Sequence, residues 1–179
     1  MILKKWGFNM EDKLLDNRII FIKGEIDKDL TNEVISKLLY LDSINNDDIS
    51  LYINSPGGSV NDGLAIIDTM RIIKSDVKTY CVGSSFSMAA VILCCGAKNK
   101  RFCLKNSEVM IHSPSGYAYG KSDDVDVSSK RLNKCKEILI DIISKNSKKS
   151  KKEINKYFIK DYFMNSKEAL DFGLIDTIL

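Results

Sequence analysis

The sequence predicts a single α/β domain. Short apolar runs rich in β-branched residues alternate with segments of helical spacing. No Pro/Gly-rich linker, internal repeat or low-complexity tract interrupts them, and 179 residues is about one domain's length. A chain of that size buries roughly two-thirds of the surface its unfolded form exposes.

The elements follow in order. Arg18 to Ile22 (RIIFI) has the length and branching of a strand ending at Gly24. Thr31 to Leu41 sets Val34, Leu38 and Leu41 on one helical face. Ile49 to Ile53 (ISLYI) reads as a strand, then Ser55-Pro56-Gly57-Gly58 as a turn. Ser59-Val60-Asn61-Asp62 has the S-x-x-D form of a capping box, and Leu64, Ile67, Met70 and Ile73 continue at helical spacing. Val77 to Val82 is a third strand, closed by Gly83. Met88 to Cys95 fits a wholly buried helix ending at Gly96, with a buried strand as its rival. Glu108 to Ile111 is a fourth strand leading to His112, and Ser115 to Lys121 is a glycine-bearing loop or hairpin. A long amphipathic helix covers Val125 to Ile143. Helices near Lys151 to Ile159 and at Ser166 to Phe172 precede a final strand, Leu174 to Ile178.

Composition excludes several classes. Hydrophobic residues at 44% and charged residues at 28% describe a soluble globular protein. The formal net charge of +3 is too small to imply a nucleic-acid partner. Lys148, Lys149, Lys151 and Lys152 lack aromatic interleaving and read as a solvated turn. The longest apolar run, Met88 to Cys95, falls far short of the ~20 residues of a membrane span. Lys4, Lys5, Glu11 and Asp12 leave no signal-peptide stretch at the start. Five cysteines form no CxxC pair, so the expectation is a cytoplasmic protein with reduced thiols, Cys94 and Cys95 packing in the core. A single histidine excludes a histidine-rich metal site.

Three places can carry chemistry. Gly57-Gly58 before a capped helix can aim backbone N–H groups at an anion, or simply supply the positive φ of a tight turn. In Ser84-Ser85-Phe86-Ser87, a serine can be an N-cap, or a nucleophile whose oxyanion faces helix N–H groups. His112, at a strand exit, can be structural or the base such a serine needs. Sequence alone does not choose the carboxylate of a triad.

Longer motifs carry a resemblance. Leu51-Tyr52-Ile53-Asn54-Ser55-Pro56-Gly57-Gly58-Ser59-Val60, Gly63-Leu64-Ala65-Ile66, Asp68-Thr69-Met70, Cys81-Val82-Gly83 with Ser87-Met88, and Asn106 with Val109-Met110-Ile111-His112 resemble the Clp protease proteolytic-subunit family (ClpP). So do Asp161-Tyr162-Phe163-Met164, Glu168-Ala169-Leu170 and Gly173-Leu174-Ile175-Asp176, in the family's order. The resemblance runs from about Leu14 to Leu179.

That resemblance implies a serine endopeptidase with Ser87 as nucleophile, His112 as general base and Asp161 as orienting acid. The backbone N–H groups of Gly58 and Met88 match the oxyanion hole. It implies a ClpP/crotonase-like ββα spiral core with a projecting helical handle. On that reading 1–179 is one peptidase domain, 1–13 a shortened axial segment and about 114–145 the handle region. Gly116-Tyr117-Ala118-Tyr119-Gly120 would lie beside bound peptide as an added strand. Further implications are stacked seven-membered rings, an AAA+ unfoldase that uses ATP and delivers unfolded protein substrates, and neither metal nor organic cofactor in this subunit.

Phe86 replaces a small residue before the nucleophile and Ser113 a glutamine after the histidine. Ile159-Lys160 stands where the family has an acid and an arginine that help link the rings. These departures fit a divergent paralogue, and leave a weakly active or structural ring subunit working beside a second paralogue as the alternative. An acyl-CoA enzyme of the related crotonase fold is a third reading.

Overall fold

The computed structural model describes residues 10–179. Residues 1–9, most of the expected axial segment, lie outside the described residues. The elements are α1 (Met10–Asp16), β1 (Ile19–Ile26), α2 (Lys28–Ile44), β2 (Ile49–Gly58), α3 (Val60–Ile72), β3 (Val77–Phe86), α4 (Met88–Cys94), β4 (Arg101–Cys103), β5 (Glu108–Ile111), α5 (Ser122–Asn146), α6 (Lys151–Tyr157), β6 (Tyr162–Asn165), α7 (Ser166–Phe172) and β7 (Thr177–Ile178). This is the α/β class that the alternating pattern predicts.

One mixed sheet runs β1-β2-β3-β4-β7, all parallel, with a branch. β3 pairs with β4 through Thr79–Cys81 and then with β5 through Ser84–Phe86. β6 closes the branch antiparallel to β5. The exchange of partners falls at Gly83, whose φ is 86°. There the Ser107 hydroxyl accepts the Gly83 N–H at 2.9 Å and donates to the Cys81 carbonyl at 3.1 Å. A side chain thus takes up the Gly83 N–H between the two ladders and shares the Cys81 carbonyl with the Leu104 N–H.

The buried face of α2 follows the expected periodicity, whereas α5 buries only Leu139, Ile140, Ile142 and Ile143 and leaves Val125 exposed. α2 buries Thr31, Val34, Leu38 and Leu41 and is capped by Asp27, which accepts the Leu30 N–H at 2.9 Å. Ser59 caps α3 by accepting the Asp62 N–H at 3.4 Å. Gly63 of α3 has no room for a side chain, since a Cβ there would lie 2.3 Å from the Met88 side chain. α4 is the helix rather than the strand, and all seven of its residues are buried. Its wholly apolar circumference follows from packing among β2, β3, β5, α3 and α5. On the sheet, Phe21, Tyr52, Tyr80 and Phe102 form an in-register aromatic row across β1 to β4. Among the described residues no helix is long and apolar enough to cross a membrane.

Several boundaries differ from expectation. β2 continues through Pro56 to Gly58, and β3 passes Gly83 to reach Phe86, because bulges allow the sheet to absorb these residues. α6 stops at Tyr157, leaving Ile159 76% exposed outside the helix. The last strand is only Thr177–Ile178. Residues 113–121 form no strand. α1, β4 and β6 have no counterpart in the sequence reading. The two strands are three and four residues long, and their partners define them more than any local pattern.

The C-terminal segment is fixed by Arg101. Its guanidinium donates to Asp176 (Nε–Oδ2 2.8 Å, with a second contact to Oδ1 at 2.5 Å) and to the carbonyls of Asn146 and Cys94. One side chain thereby joins β4, the approach to β7 and the C-terminal ends of α4 and α5. Burial opposes ionisation of Asp176, but the Arg101 contact outweighs it and holds the carboxyl below its usual range. A depressed carboxyl stabilises the fold at neutral pH, and that contribution is lost on acidification. Arg101→Met should lower the unfolding free energy in urea by about 3 kcal/mol, because it strands a mostly buried carboxylate. Wild type should lose stability as pH falls below 3.8, and Asp176→Asn should show a smaller acid-induced loss.

Candidate active site

The branch in the sheet brings three chain segments to one point. β3 ends at Phe86, and Ser87 turns the chain into α4 with φ 54° and ψ −121°. A non-glycine residue at such a φ costs on the order of 1–3 kcal/mol and requires support from its surroundings. The support is visible: the Ser87 N–H donates to the Met110 carbonyl of β5 at 2.8 Å, and α4 behind it is wholly buried. Ser87 stands at the N-cap position, but its side chain makes no capping bond. Its Oγ lies 2.8 Å from His112 Nε2 instead.

His112 directly follows β5, and its Nδ1 is 3.2 Å from Asp161 Oδ1. Asp161 directly precedes β6, whose antiparallel pairing places Tyr162 opposite Ile111. The next step of that register sets Asp161 beside His112. With Nδ1–H donated to the carboxylate, Nε2 is the acceptor for the Ser87 hydroxyl. The side-chain exposures are 26% for His112 and 59% for Asp161. The structure thus assembles the three side chains that the resemblance implies.

The glycine pair approaches the same point. Gly57 has φ 95°, and a Cβ there would lie 2.7 Å from both the Phe86 carbonyl oxygen and Ser87 Cβ. Its N–H is held by the Ser55 hydroxyl at 3.0 Å. Gly58 pairs with Ile26, and the Ser59 N–H bonds the Ile26 carbonyl at 2.8 Å. In a parallel ladder Ile26 therefore bonds the residues flanking Gly58, so the N–H of Gly58 itself points away from β1. Met88 occupies the first position of α4, where its N–H has no intrahelical acceptor. Both N–H groups named from the sequence are free of the ladder and helix bonds that occupy their neighbours.

Beyond the ends of β2 and β5 lies a groove of about 450 Å³, lined by Ser59–Asn61, Pro114–Ala118 and, from α5, Leu132 and Cys135 among others. Residues 113–121, which include the part of the lining from Pro114 to Ala118, are irregular chain. Sequence reasoning missed the Met110 carbonyl, the Ser107 bridge and the Gly57 contact, because backbone groups carry no sequence signal and Ser107 is 24 residues from the N–H it binds.

A serine hydroxyl bonded to an imidazole that is backed by a carboxylate is the arrangement serine-type hydrolases use. The Clp protease family model matches residues 4–179. The chain is 45% identical over 171 residues to the ATP-dependent Clp protease proteolytic subunit of Carsonella ruddii (strain PV), covering 96% of this chain and 88% of that protein. The chain belongs to the Clp protease family and is a serine-type endopeptidase, a hydrolase.

The close approach at Gly57 has a measurable consequence. Gly57→Ala should lower stability by about 2 kcal/mol in urea unfolding, combining positive-φ strain with the clash at Ser87. Gly116→Ala, whose Cβ would meet Leu132 at an ordinary 3.7 Å, should change stability by less than about 0.5 kcal/mol.

Proposed function

We propose that Ser87, His112 and Asp161 are the catalytic groups of a peptide-bond hydrolase acting on unfolded polypeptides. The observation that carries the reading is the continuous chain of contacts from Ser87 Oγ through both imidazole nitrogens to Asp161. Ser87 Oγ attacks the scissile carbonyl while its proton passes to His112 Nε2. The oxyanion faces the N–H groups of Gly58 and Met88, where charge develops against fixed dipoles. The imidazolium, stabilised by Asp161, gives its proton to the departing amine as the C–N bond breaks. Water then gives a proton to Nε2 and attacks the acyl ester, and the imidazolium returns that proton to Ser87 Oγ as the ester C–O bond breaks, which releases the acid product and restores Ser87. No metal or organic cofactor enters this route.

The assembly belongs to the same proposal. The relative's name contains "ATP-dependent" and "subunit". By the family resemblance, rings of seven copies stack through α5 and enclose the sites in the cytoplasm, and an AAA+ unfoldase feeds chains inward. Ile159, exposed beside Asp161, stands where the family has a charged ring contact. An isoleucine cannot make that ion pair.

Three measurements test this reading. Ser87→Ala and His112→Ala should each lower kcat on short peptides by at least about 10³-fold, because the triad acts as a unit. With one histidine in the chain, no second imidazole can compensate. Equal cleavage by Ser87→Ala and wild type would overturn the assignment, and failure of a serine-directed fluorophosphonate to label wild type would favour a structural ring subunit. In sedimentation at low micromolar concentration, double rings should dissociate to single rings or smaller species; a double ring insensitive to dilution would refute the role given to Ile159.

A further inference from the structure

Behind the three catalytic groups lies a feature they do not use. Phe86, Met110 and Phe163 stand in register across β3, β5 and β6. Alternation along a strand places Met110 on the face of His112, and Phe163 on the face of Asp161. The Phe163 ring meets Phe86 edge-on, with centroids 5.6 Å apart and planes at 85°. Val109, Ile111 and Met164, on the opposite face, are in the core. Neither phenylalanine belongs to that core: Phe163 is 50% exposed and Phe86 half-buried. Two large rings are thus held against each other, partly in water, one residue from Ser87 and two from Asp161.

We propose that this aromatic shelf is the subsite for the substrate side chain that follows the scissile bond, and that it selects apolar or aromatic residues there. The inference rests on the catalytic reading above. Its direction comes from the order of the strands. β2, with Gly58, flanks Ser87 on one side, and β5, with His112, on the other. The oxyanion therefore faces β2. The departing amine must lie near His112 Nε2, which protonates it, so the departing chain leaves over β5 and β6. That is where the shelf lies. Neither ring lines the groove beyond the strand ends, so the two surfaces can hold the two halves of one peptide. Rings already fixed by mutual contact lose little freedom on binding, and an apolar side chain covering them removes both surfaces from water.

The test uses internally quenched peptides that differ only in the residue after the scissile bond: aspartate, alanine, leucine or phenylalanine. The same acyl part as a methyl ester serves as reference, because methanol is too small to reach the shelf. Wild type should prefer leucine or phenylalanine over aspartate by at least about tenfold in kcat/KM, the scale of discrimination by an apolar pocket. Phe86→Ala should reduce that ratio below about threefold and leave methyl-ester hydrolysis within about twofold of wild type. Phe163→Lys, a change at a half-exposed position, should turn the preference towards aspartate. No preference in wild type, or the same preference in both variants, would overturn the proposal. So would an equal fall on peptides and ester, which would make the rings a support of the triad. Failure of the catalytic reading is separate: Ser87→Ala would then hydrolyse the methyl ester as fast as wild type.

Discussion

The site depends on one strand serving two neighbours. The first half of β3 is held by β4 and its second half by β5, with Ser107 bridging the exchange at Gly83. Without that exchange Ser87 would leave the sheet beside β4, far from His112. With it, the end of β3 lies between Gly58 of β2 and the end of β5, and the Met110 carbonyl takes up the Ser87 N–H. Sheet topology, more than any single contact, brings the hydroxyl, the imidazole and the two free N–H groups together.

Support is distributed unevenly around that point. Ser87 holds an unfavourable backbone conformation, and everything beneath it is close-packed: α4 is buried along its length, Met88 fills the space left by Gly63, and Gly57 abuts the serine with no room for a methyl group. Such packing over-determines one conformation and lets the strain persist. Asp161 is the opposite case. It is the most exposed of the three and precedes a four-residue strand that pairs with β5 alone. Ser87 is set by the core; Asp161 is set by a strand at the periphery, and so exposed a contact adds little of its own.

Much of this was legible in the sequence, for identifiable reasons. α2, α3 and α7 have clear caps or faces, and β5 lies where the apolar run Val109-Met110-Ile111 predicts it. Ser87, His112 and Asp161 are singled out in the sequence only by the family's motifs, and the structure sets the three beside one another. Local reasoning by itself left Ser87 between cap and nucleophile. In the structure the Ser87 hydroxyl turns to the His112 imidazole and makes no capping bond. What was not legible were β4 and β6, whose three or four residues carry no periodicity of their own, and the continuation of β2 and β3 through glycines that end strands elsewhere.

By itself the sequence determined the class of fold, the order of its long elements and the supply of chemical groups, above all the one imidazole available to any mechanism. Those properties are local or compositional: helical and strand periods, turn residues and counts are written along the chain. Tertiary structure alone decided which groups meet. The exchange of partners by β3, the hold of Met110 on Ser87, the clearance at Gly57 and the contact of Phe86 with Phe163 join residues 22 to 77 positions apart. No local pattern encodes such distances, because each depends on the register in which separate strands come to lie.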